Sequence, residues 1–428
     1  VTGAPLALAA LLCWHLGSAG GLPKEVLVGQ VRSYATGERL VRVLLLEAAP
    51  AIAVRSSVPA VIEDAQTGAR LATIAAGADV VFRQARGQVT ARFGRSRVAA
   101  DSLRFRPLKP GARTIVSSRA GLGRRGVYPG ALVLSAVSGS LRVVEQVELE
   151  SYVGGVVAAE MPKGFPLEAM KAQAIAARSY ALFHLGDHED RGADLCAQVH
   201  CQAYAGSPAP GSAPVRAARE TAGQVLAWRG LLVDALYHSA CGGATAPAWE
   251  VRQGKLLPYL SGGDDHGWEG AGSPYCRQGH EAGWQRRFSH QQAERLIAAN
   301  LGAVLGEPGL RAGRLRSLRV AERNGPRVEW LEAETSTGVY RVRGDAIRWL
   351  FGSGRADGRG LRSTVFTLAV ETDRRRRPQA YVLRGVGHGH GIGLCQWGAR
   401  GRAESGESAA EILAAYYPGT SVCDLRRE

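Results

Sequence analysis

Lysine is scarce in this 428-residue chain, occurring only at Lys24, Lys109, Lys163, Lys171 and Lys255. The formal net charge is nevertheless +15, so arginine supplies the basic character. A GC-rich genome produces the same bias, and either way the surface attracts polyanions: nucleic acid, an anionic membrane or an anionic cell-wall polymer. The marks of a nucleic-acid reader are missing. There is no aromatic-plus-basic repeat, no RNP-like sequence and no Cys/His finger spacing, so nucleic acid drops out as a partner. Beyond the first 21 residues no apolar run approaches the roughly 18 residues of a membrane helix. No repeat of fixed period is present, which excludes a tandem-repeat array. What remains is ordinary: 46% apolar and 21% charged residues, in a chain long enough for one large core or two to three smaller ones.

Ala4 to Ala19 is apolar and ends in small residues, Gly17-Ser18-Ala19-Gly20. That length suits the core of a signal peptide over residues 1–21, although a basic n-region is lacking. The leucines before Cys13 are not the small residue that lipoprotein cleavage wants. The expectation is export to the periplasm, cell wall or extracellular space, with membrane contact only through an uncleaved or lipidated N-terminus. Cys196, Cys201, Cys241, Cys276, Cys395 and Cys423 follow, several beside Gly, Ser or aromatic turn residues, as bridged cysteines of exported proteins often are.

From about Val26 to Phe105 short apolar alternations, such as Val41-Arg42-Val43-Leu44-Leu45, are separated by Gly, Asp and Ser turns and read as strands. The pattern then changes. Leu149, Tyr152, Val153, Val156, Val157 and Glu160 recur at the steps of one helical face, and Pro162 should end that helix. A second, alanine-rich helix should begin at Pro166 and run to about Leu185. Residues 187–214 read as loop, 226–236 as strands around an Arg229-Gly230 turn, and 315–370 as strand–turn–strand. A glycine-rich loop over Gly385–Gly398 precedes an Ala-rich helix from about Ser408 to Ala415. Arg374–Arg377 reads as a solvated turn or as a contact for an acidic polymer. The fold class is α+β: mixed strands with a few helices around a substrate groove (111–425), plus an N-terminal β-rich region (22–110).

Glu160 falls on the apolar stripe of its helix. A carboxylate there loses hydration, and desolvation moves its pKa towards the roughly 6 to 7 useful in acid/base work. Alternatively it is a helix-terminal Glu that reaches solvent or pairs with Arg178 or Lys171.

The stretch Val147-Glu148-Leu149-Glu150-Ser151-Tyr152-Val153-Gly154-Gly155-Val156-Val157-Ala158-Ala159-Glu160-Met161-Pro162 resembles the signature of the stage II sporulation protein D and amidase-enhancer family. The resemblance continues, in the family's order, through Phe165–Ala181, His238-Ser239-Ala240-Cys241-Gly242-Gly243, Pro258-Tyr259-Leu260, Gly389–Ala399 and Tyr416-Tyr417-Pro418-Gly419-Thr420. Several long motifs in order are far more specific than one short pattern. The resemblance implies lytic transglycosylase activity on peptidoglycan glycan, preferably strands stripped of stem peptides. Glu160 matches the family's catalytic glutamate and would serve as both general acid and general base. No second carboxylate has a comparable setting, with Asp234, Glu250, Asp264 and Asp265 left as alternatives.

Lys171, Gln173, Arg178 and Tyr180 match the family motif and would line a saccharide groove, Arg178 facing a muramic-acid carboxylate. A helix face paired with Glu160 or Glu168 is the competing reading for Lys171. In the glycine-rich loop His390, Gln396 and Trp397 would hydrogen-bond or stack on sugars. The alternative is a turn whose histidine is held by the backbone. His388 stands where the family commonly has an aromatic, and Cys395 where it usually has Ser.

Some family members bind zinc with residues like His188, Cys196, His200 and Cys201. Two thiolates and two imidazoles suit a closed structural zinc site, and a Cys196–Cys201 disulfide is the alternative. Cys241 and Cys276 are expected to pair as a disulfide. No cofactor is needed for the chemistry. The expected partners are peptidoglycan glycan strands and, given the family name, a peptidoglycan amidase. Two other functions compete: a non-catalytic wall-binding enhancer of such an amidase, and a zinc amidase centred on Cys196, His200 and Cys201.

Overall fold

The computed structural model describes residues 24–109, 111–118, 126–251, 256–265, 275–276, 283–352 and 360–427, with the side chains of residues 250 and 251 excepted. The expected signal segment and the Glu250 side chain lie outside them. The chain divides into two compact units. One comprises 26–235 with two short C-terminal pieces, and the other is built on 236–407 and 412–419. Helices and several separate sheets bear out the α+β class.

The first unit holds a seven-stranded and a six-stranded sheet. Inward residues alternate along the strands, as in Asp79–Ala85, where Val80 and Phe82 are buried, and Ser102–Pro107, where Leu103 and Phe105 are. Phe82 of the smaller sheet meets Phe105 of the larger edge to face at 6.2 Å, so the sheets bury their apolar faces against each other. Val41–Ala49 lies between Ser140–Val147 and the short strand Leu195–Cys196 in the larger sheet. Residues from the N-terminal region thus share a sheet with the chain around Cys196.

Strand Ser140–Val147 leads directly into helix Leu149–Glu160, which stops at Met161 because Pro162 cannot continue it. Helix Leu167–Phe183 follows, with Pro166 as its N-cap. Helix Ala213–Glu220 packs on both, and Gln224–Trp228 pairs with Leu231–Leu232 around the Arg229-Gly230 turn, both of whose residues have positive φ.

The second unit contains two three-stranded antiparallel sheets. In one, Pro378–Gly385 lies between Trp284–Ser289 and Phe366–Thr372; the other is a meander of Leu315–Asn324, Arg327–Thr335 and Val339–Arg343. Between Trp284–Ser289 and the meander runs helix His290–Leu305. Ser289 and Gln292 form a capping box at its start, and Gly306 closes it in the left-handed region. Trp284, Ile297, Leu301, Leu331, Leu350 and Tyr381 are among the residues of this unit's core. The Gly385–Gly398 loop ends in the two-residue strand Leu394–Cys395, parallel to Tyr237–His238, and passes into helix Gln396–Glu404.

Candidate functional site

Glu160 is the last residue of its helix and is half-buried. The backbone N–H of Ala203 donates to Glu160 Oε1 at 2.7 Å, which fixes the side chain's direction. The residues on either side of Ala203 are anchored to the same stretch of chain. Tyr152 donates its hydroxyl to Gln202 Oε1 at 3.1 Å, and Tyr204 donates its own to Glu145 Oε2 at 2.9 Å. Three consecutive residues therefore clamp the helix and the strand before it. Gly155 permits this approach: a Cβ there would lie 2.4 Å from the Tyr204 ring and 2.7 Å from the Gly206 carbonyl oxygen. Burial holds the Tyr152 phenol well above its usual pKa, and the nearby Cys201 and Cys196 sulfurs and Glu160 act in the same direction.

Glu145 went unnoticed in the sequence. It is wholly buried, accepts a 2.9 Å hydrogen bond from Gly130 N–H, and is pushed by burial up to about 7. Being closed to solvent, it holds Tyr204 rather than touching a substrate.

The four residues expected to line a groove from the alanine-rich helix do something else. Arg178 is completely buried. Its guanidinium donates to both oxygens of Glu150 and to the carbonyls of Gln224 (2.9 Å), Ala218 (3.2 Å) and Ala174 (3.4 Å). It ties the two helices to the following helix and strand and is not available for a muramic-acid carboxylate. Lys171 pairs with Glu168 at 2.9 Å and Glu220 at 2.8 Å, which bears out the paired helix face. Gln173 is fully buried, and the Tyr180 ring packs on His184 with centroids 4.2 Å apart. This helix is enclosed on nearly every side from Ala172 to Phe183, because alanine lets neighbours approach all round. His184 bridges Asp187 (2.6 Å) and Asp234 (3.0 Å); burial opposes its charge, yet the two carboxylates leave its pKa raised. Asp234 is thereby committed to a buried ion pair.

His188, Cys196, His200 and Cys201 do come together. One donor atom from each lies within 4.8 Å of all the others. The Cys196 and Cys201 sulfurs are 3.5 Å apart, His188 Nε2 is 3.2 Å from Cys201 Sγ, and His200 Nδ1 is 3.4 Å from it. Both thiols are free. Tetrahedral zinc with bonds of about 2.3 Å to sulfur and about 2.0 Å to nitrogen needs such separations, so the donor set fits a closed structural site.

In the second unit His390 is held by the backbone. Its Nε2 donates to the Tyr237 carbonyl at 2.9 Å, and its Nδ1 accepts the Ile392 N–H at 3.0 Å, which fixes one neutral tautomer. Gln396 is buried, whereas Trp397 is half-buried with the Arg400 guanidinium 5.2 Å from its ring centroid. Beside this loop His238 donates from Nδ1 to the Ile392 carbonyl at 3.0 Å, and burial keeps it neutral. The Cys241–Cys276 disulfide is not formed. Both are free thiols with sulfurs 3.5 Å apart, and Cys395 and Asp265 belong to the same cluster. Asp264 is exposed, paired through its backbone with Ala244.

Residues 137–228 match the SpoIID family model, described as stage II sporulation protein, and residues 277–393 match a domain of unknown function. An uncharacterised protein of Brachyspira hyodysenteriae is 26% identical over 306 residues, covering 70% of this chain and 73% of that protein. The amidase enhancer of Bacillus subtilis is 28% identical over 304 residues, 63% of this chain but only 40% of that protein. Stage II sporulation protein D of the same organism is 23% identical over 354 residues, 75% of this chain and 89% of that protein. The matched SpoIID segment falls within the first unit and contains Glu160, the alanine-rich helix and the His188–Cys201 cluster.

Proposed function

Taking as premise that this chain carries a SpoIID-family domain, we propose that it is an exported lytic transglycosylase of peptidoglycan glycan, with Glu160 as general acid and base. The observation that carries this is the half-buried Glu160, its carboxylate oriented by Ala203 N–H at the end of a helix that is buried from Tyr152 to Val157. Protonated Glu160 gives its proton to the glycosidic oxygen as the bond to C1 of muramic acid breaks. The resulting carboxylate takes the proton of the muramic-acid 6-hydroxyl as that oxygen closes on C1, leaving a 1,6-anhydro end. One carboxyl group suffices because the nucleophile belongs to the substrate. A hydrolase would need a second carboxylate for water or for a covalent intermediate. Of the described alternatives, Asp234 and Asp265 are buried and held by His184 and by Tyr416 and Arg402, while Asp264 is exposed. Strands stripped of stem peptides are the expected substrate, and the arginine-rich surface favours an anionic polymer.

Zinc in the His188–Cys201 cluster would be structural. It would pin Cys201 two residues before Ala203 and so hold the N–H that orients Glu160. Two thiolates and two imidazoles leave no open position for substrate, which argues against a zinc amidase.

Mass spectrometry of products from denuded glycan tests the assignment. Wild type should release anhydro-muramic-acid ends and Glu160→Gln should not; equal release by both proteins sinks it. A second function is suggested by the relative named amidase enhancer. If wild type releases no anhydro product but raises the rate of a purified peptidoglycan amidase, and Glu160→Gln does so equally, the chain is a wall-binding enhancer.

A further inference from the structure

We propose that the second unit holds a metal site of its own, a zinc-class cation bound by the thiolates of Cys241, Cys276 and Cys395 and the carboxylate of Asp265. The four donors are almost fully buried, and one atom of each lies within 4.8 Å of all the others. Cys241 Sγ is 3.5 Å from Cys276 Sγ and 3.2 Å from Asp265 Oδ2. A tetrahedral zinc site places sulfurs roughly 3.7 Å apart and a sulfur and an oxygen roughly 3.5 Å apart, given bonds of about 2.3 and 2.1 Å. The side chains need only small shifts to close on an ion.

The surroundings are built for a charged cluster. Cys395 caps helix Gln396–Glu404, and its sulfur accepts the N–H groups of Gly398 and Cys241, both at 3.2 Å. Cys241 Sγ accepts Gly243 N–H at 3.3 Å. Backbone N–H groups aimed at sulfur favour the thiolate form that a metal requires. Asp265 is oriented from behind: Tyr416 donates to both its oxygens at 2.9 Å, and Arg402 reaches Oδ1 at 3.3 Å, while Oδ2 faces Cys241. Such outer contacts are what a metal-ligating carboxylate needs. Gly398 is required by the same geometry, since a Cβ there would sit 2.0 Å from the Tyr416 hydroxyl and 2.4 Å from Asp265 Oδ2.

A Cys241–Cys276 disulfide satisfies this arrangement less well. It would shorten the sulfur separation to about 2.0 Å and leave Cys395 and Asp265 buried against it. Binding a divalent ion releases the thiol protons to solvent. The site then carries three thiolates and one carboxylate against two positive charges, with Arg402 beside it. It joins segments of the chain 154 residues apart, at Cys241 and Cys395, and would brace the turn that carries His390.

The inference is independent of the glycan chemistry. Elemental analysis of the full chain purified with zinc, together with alkylation of unreduced, denatured protein, tests it. Cys395→Ser should lose one equivalent of zinc relative to wild type. Cys196→Ser/Cys201→Ser should keep that equivalent and, loaded with Co2+, show a thiolate charge-transfer band that the added Cys395→Ser removes. Because Cys395→Ser also changes a helix cap, Tyr416→Phe serves as the milder variant and should weaken metal affinity by about 10-fold. Zinc content unchanged by Cys395→Ser, affinity unchanged by Tyr416→Phe, or a Cys241–Cys276 bridge in the unreduced peptides would overturn the assignment.

Discussion

The two consecutive helices of the SpoIID motif look alike as sequence and differ in what they do. Leu149–Glu160 is buried along most of its length but ends in the half-buried Glu160. Leu167–Phe183 is enclosed on nearly all sides, and its motif residues Gln173, Arg178 and Tyr180 are part of the packing. Motif identity therefore does not separate chemistry from architecture; burial and partners do. One glutamate keeps part of its surface open, and its carboxylate is held by the backbone of a neighbouring segment.

The sharpest way to break this comparison is to mutate one polar residue from each helix. Glu160→Gln keeps the shape and the acceptor for Ala203 N–H, so thermal stability should hold. Glycan cleavage should fall by roughly 10²–10⁴-fold, the range for a lost general acid–base group. Arg178→Met should do the reverse. Removing one partner of a buried pair costs about 3–5 kcal/mol, here towards the low end because Glu150 is partly exposed and can be rehydrated. Denaturant unfolding should show that loss, while the fraction still folded cleaves glycan at close to the wild-type rate. If Arg178→Met abolished cleavage without loss of stability, the buried helix would belong to the catalytic machinery after all.

A smaller effect compares the carboxylates held by neighbouring residues of one segment, Glu160 by Ala203 and Glu145 by Tyr204. Burial pushes Glu145 up to about 7, so the folded state keeps a proton that the unfolded chain has already released. Its contribution is fully present below the unfolded value, near 4.5, and is lost as pH rises through about 7. The size is on the order of 3 kcal/mol. Glu145→Gln should therefore gain stability relative to wild type between pH 4.5 and pH 8. His184, also raised, adds a decline of the same sign above its ordinary value of 6.5, in both proteins. A difference between the two proteins that stays flat with pH would show that Glu145 is ionised throughout.

The helix carrying Glu160 was legible because its signals are local: a three- and four-residue apolar rhythm and a proline stop. Cys196, His200 and Cys201 were legible as a compact cluster for the same reason, whereas His188, thirteen positions before Cys201, joined them only through the family resemblance. Arg178 was not, because its partners come from Glu150, Ala218 and Gln224, which no spacing rule connects. Alanine concealed the rest. A helix rich in small residues shows a weak apolar stripe whether one face is covered or all of them are. Glu145 is in phase with the buried Leu141, Val143 and Val147 of its strand, so period-two alternation was the signal that could have found it, and a charged residue in an inward position was the clue. Cys395 read as a departure from the family, and only the fold brings it to Cys241 and Cys276.

The smallest expected effect concerns Lys171, a motif residue near the start of the buried helix but on its open side. Its ammonium is held by Glu168 and Glu220, and these hydrogen bonds raise its pKa. Partly exposed pairs of this kind contribute little, because water screens the attraction and ordering the long side chains opposes it. Lys171→Ala should shift Tm by no more than about 2 °C and leave glycan cleavage within twofold of wild type. Were Lys171 instead a sugar ligand, KM for denuded glycan would rise while Tm stayed constant. A rise of tenfold or more would return this position to the groove and would mean that the Glu168 and Glu220 contacts yield to substrate.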